Sequence, residues 1–283
     1  MIRKRIYKIA ALTAAFSLAV SVSAAAAPET VRHQQTEETG SKEQKSEQEE
    51  GGAVDFDVNR FVLPESARVL VAVEGTGGSL CNVYAYEKTD AGWICRVQTC
   101  GYLGRNGMSN NRSEGDMTTP IGLFQMNTPF GQKEALEGFP ASYLQVNENH
   151  VWLDAANKMV CDRSARGKGE AVGMAAYAGY YDYVIDAGYN AAGIPKKGSA
   201  LFLHCIKPGR TDTAGCVAIP AEQMIAIMRL YGAYGDGACY IAQAPRGTFH
   251  LIYESYGANY GLSPDGDFTL ESVMASEEIQ ENS

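Results

Sequence analysis

The amino-acid sequence predicts a mainly β fold with few helices, and three observations carry that prediction. Short apolar runs recur through the middle of the 283 residues, separated by turns rich in Gly, Pro and Asn. One segment, Pro220–Gly232, has the periodicity of an amphipathic helix. The composition is 45% apolar and 20% charged, which is globular and excludes a wholly disordered chain.

The first strands follow one another closely along the chain. Residues 68–73 form an apolar run that is typical of a buried strand. Residues 81–86 and 93–99 lie on either side of a turn, and this pattern predicts a hairpin. The stretch 101–116, rich in Gly, Asn and Ser, predicts a long loop. Residues 119–126 then predict a Pro/Gly turn that leads into a strand.

Two further strands are expected near the centre of the chain. In residues 181–186, Tyr and Ile alternate with Asp and Val, which predicts a strand with two unlike faces. Residues 200–206 are nearly all apolar and predict a buried central strand. Residues 170–179 fit a helix or coil equally. Alternation along the central strand places Ala200, Phe202 and His204 on one face and Leu201, Leu203 and Cys205 on the other.

The helix is the best-marked single element. Pro220 suits a first helical position, and Glu222 favours the positive end of the helix dipole. Gly232 predicts the end of the helix, and residues 238–243 and 248–253 predict two more strands. The apolar stripe expected to pack on the sheet consists of Met224, Ile227, Met228 and Tyr231.

The two ends of the chain differ from its middle. Residues 1–27 have a basic start, an apolar run of 14 residues and small residues at the end, which is typical of a cleavable secretory signal peptide. That run is shorter than the ~20 residues of a membrane span, and we expect no transmembrane segment after cleavage. Residues 28–53 predict a polar linker, 54–262 one compact domain, and 263–283 an acidic C-terminal tail.

Charge and cysteine content exclude several classes of protein. The chain has 33 acidic and 24 basic residues, a net charge of −9, so we expect no nucleic-acid partner. Its seven cysteines include no CxxC pair, and we expect no metal and no cofactor. Export permits disulfides, but an odd number of cysteines leaves at least one thiol unpaired.

The stretch from His204 to Cys216 is the one that predicts chemistry. A histidine lies near the end of the central strand, and a mostly polar loop leads to Thr213-Ala214-Gly215-Cys216. A free thiol is largely protonated at pH 7, and a neighbouring imidazole that takes its proton makes it a nucleophile. Gly215 would let the backbone approach an acyl group, and the Cys216 N–H would stabilise an oxyanion. Thr213 would either orient His204 or shape the loop.

These residues resemble the catalytic domain of the L,D-transpeptidases (YkuD-type). That family has a His at a strand end followed by Ser/Thr-x-Gly-Cys, here His204 and Thr213–Cys216. It also has a Thr-Pro-x-Gly-x-Phe element, here Thr119–Phe124, which follows Glu114–Asp116 in this chain. The resemblance covers residues 69–231. It implies a β-sandwich with one or two packed helices, and a cysteine acyl-enzyme that cross-links bacterial peptidoglycan.

The chain departs from the more familiar family pattern at two positions near the cysteine. Ala214 stands where that pattern has His, and Ala218 stands where it often has Asn or Arg. We therefore expect His204 to act as the only base. Recognition of the substrate is expected from other side chains, and the candidates are Arg210, Lys207 and Arg112 for a carboxylate and Tyr181 and Tyr183 as walls of the cleft.

The resulting hypothesis is a secreted L,D-transpeptidase of the bacterial cell envelope. Cys216 would attack a peptidoglycan stem tetrapeptide, D-Ala would leave, and an amine of a neighbouring stem would take the acyl group. Two alternatives remain open. An L,D-carboxypeptidase would pass the same acyl group to water, and a non-catalytic wall-binding module would hold Cys216 oxidised.

Overall fold

The computed structural model describes residues 55–256, all within one compact unit that spans Gly52–Ser283. The expected signal peptide (1–27), linker (28–53) and acidic tail (263–283) lie outside the described residues. So do position 54 and positions 257–262 of the expected domain.

The described part of the chain is mainly β, as the sequence predicts. It contains fifteen strands, one α-helix, α1 (Ala221–Tyr234), and four short 3-10 helices (Val58–Arg60, Arg163–Ala165, Ala175–Tyr177 and Phe249–Leu251). In chain order the strands are β1 (Val69–Gly77), β2 (Leu80–Thr89), β3 (Gly92–Tyr102), β4 (Met108–Ser109), β5 (Thr119–Pro120), β6 (Gly122–Gln125), β7 (Asn127–Gly131), β8 (Leu144–Gln145), β9 (His150–Leu153), β10 (Lys158–Cys161), β11 (Gly169–Glu170), β12 (Val184–Asp186), β13 (Phe202–Cys205), β14 (Val217–Ile219) and β15 (Cys239–Pro245).

Ten of these strands form one large mixed sheet. Their order is β6-β15-β1-β2-β3-β14-β13-β12-β7-β8. The predicted hairpin is confirmed as β2 and β3, which pair antiparallel. Three pairs of this sheet run parallel, β1 with β15, β13 with β14 and β7 with β8. The prediction of a mainly β sandwich-like fold with a packed helix is therefore confirmed.

Alternation along the strands builds a core on each side of the sheet. The main core takes one face of β1 together with the buried stripe of α1, and includes Val69, Val71, Val73, Ile185, Leu203, Ile219, Met224, Ile227, Met228 and Tyr231. The second core takes the other face of β1 and includes Leu70, Ala72, Tyr84, Phe56 and Phe249. A third group, the aromatic cluster, lies beside β13 and consists of Phe130, Val146, Trp152, Val172, Tyr181, Val184, Phe202 and Cys216.

The helix packs as predicted but continues further than predicted. Its stripe is buried in the main core, and Glu222 lies in its first turn. Gly232 does not end it, because the helix runs to Tyr234 and Gly235 then takes a positive φ of 76°. Gly232 has a packing role instead, since a Cβ there would collide with the carbonyl oxygen of Gly138. The helix also begins one residue later than expected, with Pro220 as its N-cap.

Two predicted strands need correction. Residues 248–253 form a 3-10 turn, in which the Ile252 N–H donates to Phe249 O at 3.0 Å. Gly247, with φ 83°, turns the chain out of β15 before this segment, and the apolar side chains still reach the second core. The strand predicted over 181–186 begins only at Val184. A turn precedes it, in which the Tyr181 N–H donates to Tyr177 O at 2.9 Å, and Gly179 (φ 85°) lies within this turn.

Asp186, in β12, is a buried carboxyl group that is incompletely hydrogen-bonded. It is only 4% exposed, and its Oδ1 atom has no hydrogen-bond partner in the described part of the chain. Burial raises its pKa to about 7, although hydrogen bonds from the Gly188 N–H and the Asn127 amide act in the opposite direction. The folded chain therefore favours the protonated carboxyl.

We expect Asp186→Asn to stabilise the protein increasingly as the pH rises from 4 to 7. The native pKa of about 7 lies above the ordinary value of 3.8, so the wild-type chain loses stability across that interval and stays level above it. The Asn side chain of the variant does not ionise, so its burial causes no loss of stability as the pH rises. Thermal melts of both proteins between pH 4 and 8 measure the difference in Tm. The matched control is Asp90→Asn, because Asp90 is exposed. A difference in Tm between Asp186→Asn and the wild type that stays constant with pH would contradict the interpretation.

Candidate active site

His204 lies in the central strand β13, on the face that the sequence predicts. Phe202 belongs to the aromatic cluster, whereas Leu203 and Cys205 pack into the main core on the other face. The Cys205 thiol points to the Tyr183 carbonyl oxygen at 3.6 Å. The predicted division of the two faces is confirmed, and Cys205 is separated from the site by the strand itself.

Cys216 is brought to the same face by the parallel pairing of β13 and β14. His204 pairs with Ala218, and Cys216 lies two residues before Ala218. Because side chains alternate with a period of two, Cys216 and His204 share one face of the sheet. Both line a cavity of about 560 Å³. The short polar loop between the strands therefore brings the two residues together as the sequence predicts.

The Cys216 thiol is held by the backbone of the segment before β13. The Phe202 N–H donates to Cys216 Sγ at 3.3 Å, and the thiol points to the Ala200 carbonyl oxygen at 3.4 Å. No hydrogen bond joins Cys216 to His204 within residues 55–256. The sulfur is therefore positioned by main-chain atoms and not by the imidazole.

Thr213 shapes the loop and does not orient His204. Its hydroxyl donates to Cys216 O at 2.7 Å and accepts from the Gly215 N–H at 3.0 Å. Its backbone is fixed to the loop after β3, where the Thr213 N–H donates to Leu103 O at 2.9 Å. The expected role of Thr213 as an orienting residue is therefore wrong, because its hydroxyl is already used within its own turn.

Position 215 has no room for a side chain, which is why glycine suits it. Its φ is 137°, and a Cβ would lie 2.7 Å from the Thr118 carbonyl oxygen and 2.9 Å from Leu201 Cδ2. The absence of a side chain at Gly215 therefore lets the loop pack closely against the protein's own residues Thr118 and Leu201. Since the Gly215 N–H is engaged by Thr213, it is not available to an oxyanion. The Cys216 N–H makes no hydrogen bond in the described part of the chain and is the donor that remains.

His204 is a buried, neutral imidazole. It is 4% exposed, and burial lowers its pKa to about 4, which the bond to Cys205 opposes. Its Nδ1 lies 2.8 Å from the Cys205 carbonyl oxygen. A carbonyl only accepts, so Nδ1 carries the hydrogen of the neutral ring and Nε2 carries the lone pair. The imidazole is therefore an acceptor at neutral pH.

Cys216 is a neutral thiol when the cavity holds no substrate. Burial raises its pKa to about 12, and the charge of Glu170 adds to the increase. The Phe202 N–H and the Arg112 cation act in the opposite direction. The thiolate of Cys216 therefore forms only when another group accepts the proton of the thiol.

Arginines supply the cations of the cavity wall. Arg112 is 2% exposed, with Nε donating to Thr118 O at 3.2 Å and Nη1 donating to Lys197 O at 3.2 Å. Arg105 is paired with Asp212, and Arg210 also lines the cavity. Arg210 and Arg112, two of the three expected carboxylate binders, both line the cavity. Lys207 does not line the cavity, and its Nζ lies 4.8 Å from the centroid of the Tyr180 ring.

The two candidate tyrosines lie on opposite sides of the sheet. Tyr181 lines the cavity, and its ring centroid is 5.6 Å from that of His204. Tyr183 packs in the main core with its ring 5.3 Å from Phe139. The expectation that Tyr183 lines the cleft is therefore wrong. It assumed one strand over both residues, whereas Tyr181 precedes the strand in a turn.

Several cavity residues are not found by the sequence reasoning. The acidic ones are Asp154, Glu170 and Asp212, and the further aromatic ones are Tyr177 and Tyr180. Glu170 lies in the segment 170–179 whose pattern is ambiguous. It reaches the site because β11 pairs with β9 beside the aromatic cluster, and no local pattern encodes that pairing.

The chain matches no family model and no curated protein. Within residues 55–256, no helix has the length and apolar character needed to cross a membrane. The same residues contain no group of three or more His, Cys, Asp or Glu side chains arranged for a metal ion. The thiol, the imidazole and the charged walls are therefore the groups from which a function is proposed.

We expect Gly215→Ala to lower the free energy of unfolding by about 1–3 kcal/mol, as residues forced into disfavoured backbone conformations do. The added methyl group would meet Thr118 O and Leu201, and would move the Cys216 backbone. Urea denaturation measures the change. Gly209→Ala is the matched control, because Gly209 also has positive φ (83°) but faces open space. Equal losses in both variants would show that the close approach contributes nothing.

Proposed function

We propose that the protein is an L,D-transpeptidase that acts on peptidoglycan stem tetrapeptides outside the cytoplasm. The observation that carries this proposal is the placement of Cys216 and His204 on one face of the sheet in one cavity. The resemblance of Thr213–Cys216 and Thr119–Phe124 to that family supplies the substrate class. The free thiol and the neutral imidazole supply the chemistry.

The acylation step follows from the state of each group. His204 Nε2 takes the proton of the Cys216 thiol as the sulfur bonds to the carbonyl carbon of the stem peptide. The Cys216 N–H stabilises the resulting oxyanion. The C–N bond then breaks, and His204 returns the proton to the nitrogen of the departing D-Ala. The products are a thioester on Cys216 and free D-Ala.

The charges of the cavity suit a peptide that ends in a carboxylate. Arg112 is fixed by the carbonyl oxygens of Thr118 and Lys197, and its Nη2 pairs with Asp116 Oδ1 at 3.5 Å. Arg210 makes no ion pair within the described residues. Arginine is well suited to a carboxylate because its planar group donates two parallel hydrogen bonds. These two side chains are therefore proposed to receive the terminal carboxylate of the donor stem.

Cys216→Ala is expected to abolish turnover of disaccharide tetrapeptides by the purified chain. The wild-type protein should give a dimer whose mass equals two monomers less one D-Ala, measured by mass spectrometry of the products. Cys205→Ala is the matched control, since it removes the neighbouring thiol on the opposite face of β13 and should keep the activity. Tripeptide without dimer would favour an L,D-carboxypeptidase. A Cys216→Ala variant as active as wild type would refute the nucleophile.

The rate of D-Ala release should fall in acid with a midpoint near pH 4. Below that value His204 is protonated and cannot take the thiol proton, whereas above it the imidazole is neutral. The profile of kcat/KM between pH 3.5 and 8 measures the midpoint. His204→Gln should remove the activity at every pH. A midpoint near 6.5, the ordinary value for His, would contradict the buried, neutral base.

A further inference from the structure

Glu170 is a half-buried carboxylate that the acylation step does not use. It belongs to β11 and lines the same cavity as Cys216 and His204. Its Oε1 accepts a hydrogen bond from the Tyr181 hydroxyl at 2.7 Å, and Tyr177 also hydrogen-bonds to it. The two tyrosine rings stack with centroids 4.9 Å apart, so the carboxylate is held in place.

Tyr181 connects this carboxylate to the reacting groups. Its ring meets the His204 ring edge-on at 5.6 Å, and it shares the aromatic cluster with Cys216. Glu170 is also close enough for its charge to raise the pKa of the Cys216 thiol. The carboxylate, the imidazole and the sulfur therefore surround one space.

The surroundings of Glu170 favour a group that binds and releases protons. Burial raises its pKa, and the nearby carboxylates of Asp154 and Glu114 raise it further, whereas the hydrogen bonds from the two tyrosines lower it. The titratable groups that face it are Tyr177, Tyr181, Asp154, Glu114 and Cys216. A cation that enters this part of the cavity meets several negative charges.

We infer that Glu170 is the base of the second half-reaction, which removes a proton from the acceptor amine when that amine arrives as its ammonium ion. This inference rests on the proposed function, because it begins from the thioester on Cys216. An ammonium group has no lone pair, so it must lose a proton before it attacks. His204 alone does not supply two proton acceptors at once, and Glu170 supplies the second.

The step balances as follows. Glu170 takes one proton from the ammonium ion, which leaves a neutral amine. The nitrogen bonds to the thioester carbonyl carbon, and its second proton passes to His204. The C–S bond breaks, and His204 returns that proton to the Cys216 sulfur. The products are the new amide, the neutral thiol and protonated Glu170, which releases its proton to solvent.

Two amine probes test this role in the full chain, with a disaccharide tetrapeptide as the acyl donor. Nα-acetyllysine amide is an ammonium ion at pH 7, whereas aminoacetonitrile is largely uncharged there. We expect Glu170→Gln to lower the ratio of amide product to hydrolysed tripeptide by about 100-fold for the charged probe. For the uncharged probe the ratio should not change. Mass spectrometry measures both products.

Matched variants separate the base from a structural effect. Glu148→Gln removes an exposed carboxylate whose partners are Arg163 and Arg166, and it should not change either ratio. Glu170→Asp keeps a carboxylate and should recover part of the ratio for the charged probe. If Glu170→Gln fails to fold, Glu170→Asp carries the test, because its shorter side chain should lower the ratio for the charged probe only.

The outcomes distinguish this inference from the proposed function. D-Ala release by the wild-type chain, followed in parallel, reports the acyl-enzyme. If no D-Ala is released, the proposed function is wrong and the role of Glu170 is wrong with it. If D-Ala is released but Glu170→Gln leaves the ratio for the charged probe unchanged, the role of Glu170 alone is overturned. An equal loss with both probes would also overturn it.

Discussion

The parallel pairing of β13 with β14 is the constraint on which the site depends. It aligns Leu203 with Val217 and so places Cys216 and His204 on one face. Since side chains alternate, a shift of one residue in this register would turn Cys216 into the main core. Parallel strands also need a crossing connection, and the loop that makes it is tied to the chain after β3 through Thr213. The register, the loop and the nucleophile therefore form one unit.

Cys216 and His204 are both uncharged in the folded chain at neutral pH. Burial lowers the pKa of His204 to about 4 and raises that of Cys216 to about 12, so a thiolate–imidazolium pair is not the resting state. In the proposed acylation, proton transfer would therefore accompany attack on the acyl carbon and not precede it. The same burial that disfavours separated charge makes the Cys216 N–H a stronger partner for an oxyanion.

The features that were predicted correctly depend on the residues of a single strand or helix. The alternation of Phe202 and His204 against Leu203, and the apolar stripe of α1, depend on local period alone. The predictions for Gly232 and residues 248–253 failed because tertiary contacts and a positive-φ glycine decide where those elements end. Tyr183 was misplaced because the turn at Gly179 is not visible as a break in the pattern. Glu170 was missed because only long-range pairing of β11 with β9 brings it to the cavity.

The seven free thiols differ in how they would meet an oxidant. Cys95, Cys100 and Cys161 are exposed, whereas Cys216 is buried. Peroxides and disulfides react with thiolates and hardly at all with thiols, so the raised pKa of Cys216 slows its conversion to sulfenic acid. The burial of Cys216 also keeps it from oxidants that reach the exposed cysteines. In an oxidising compartment, the burial that keeps Cys216 in its thiol form would therefore also preserve it for the proposed chemistry.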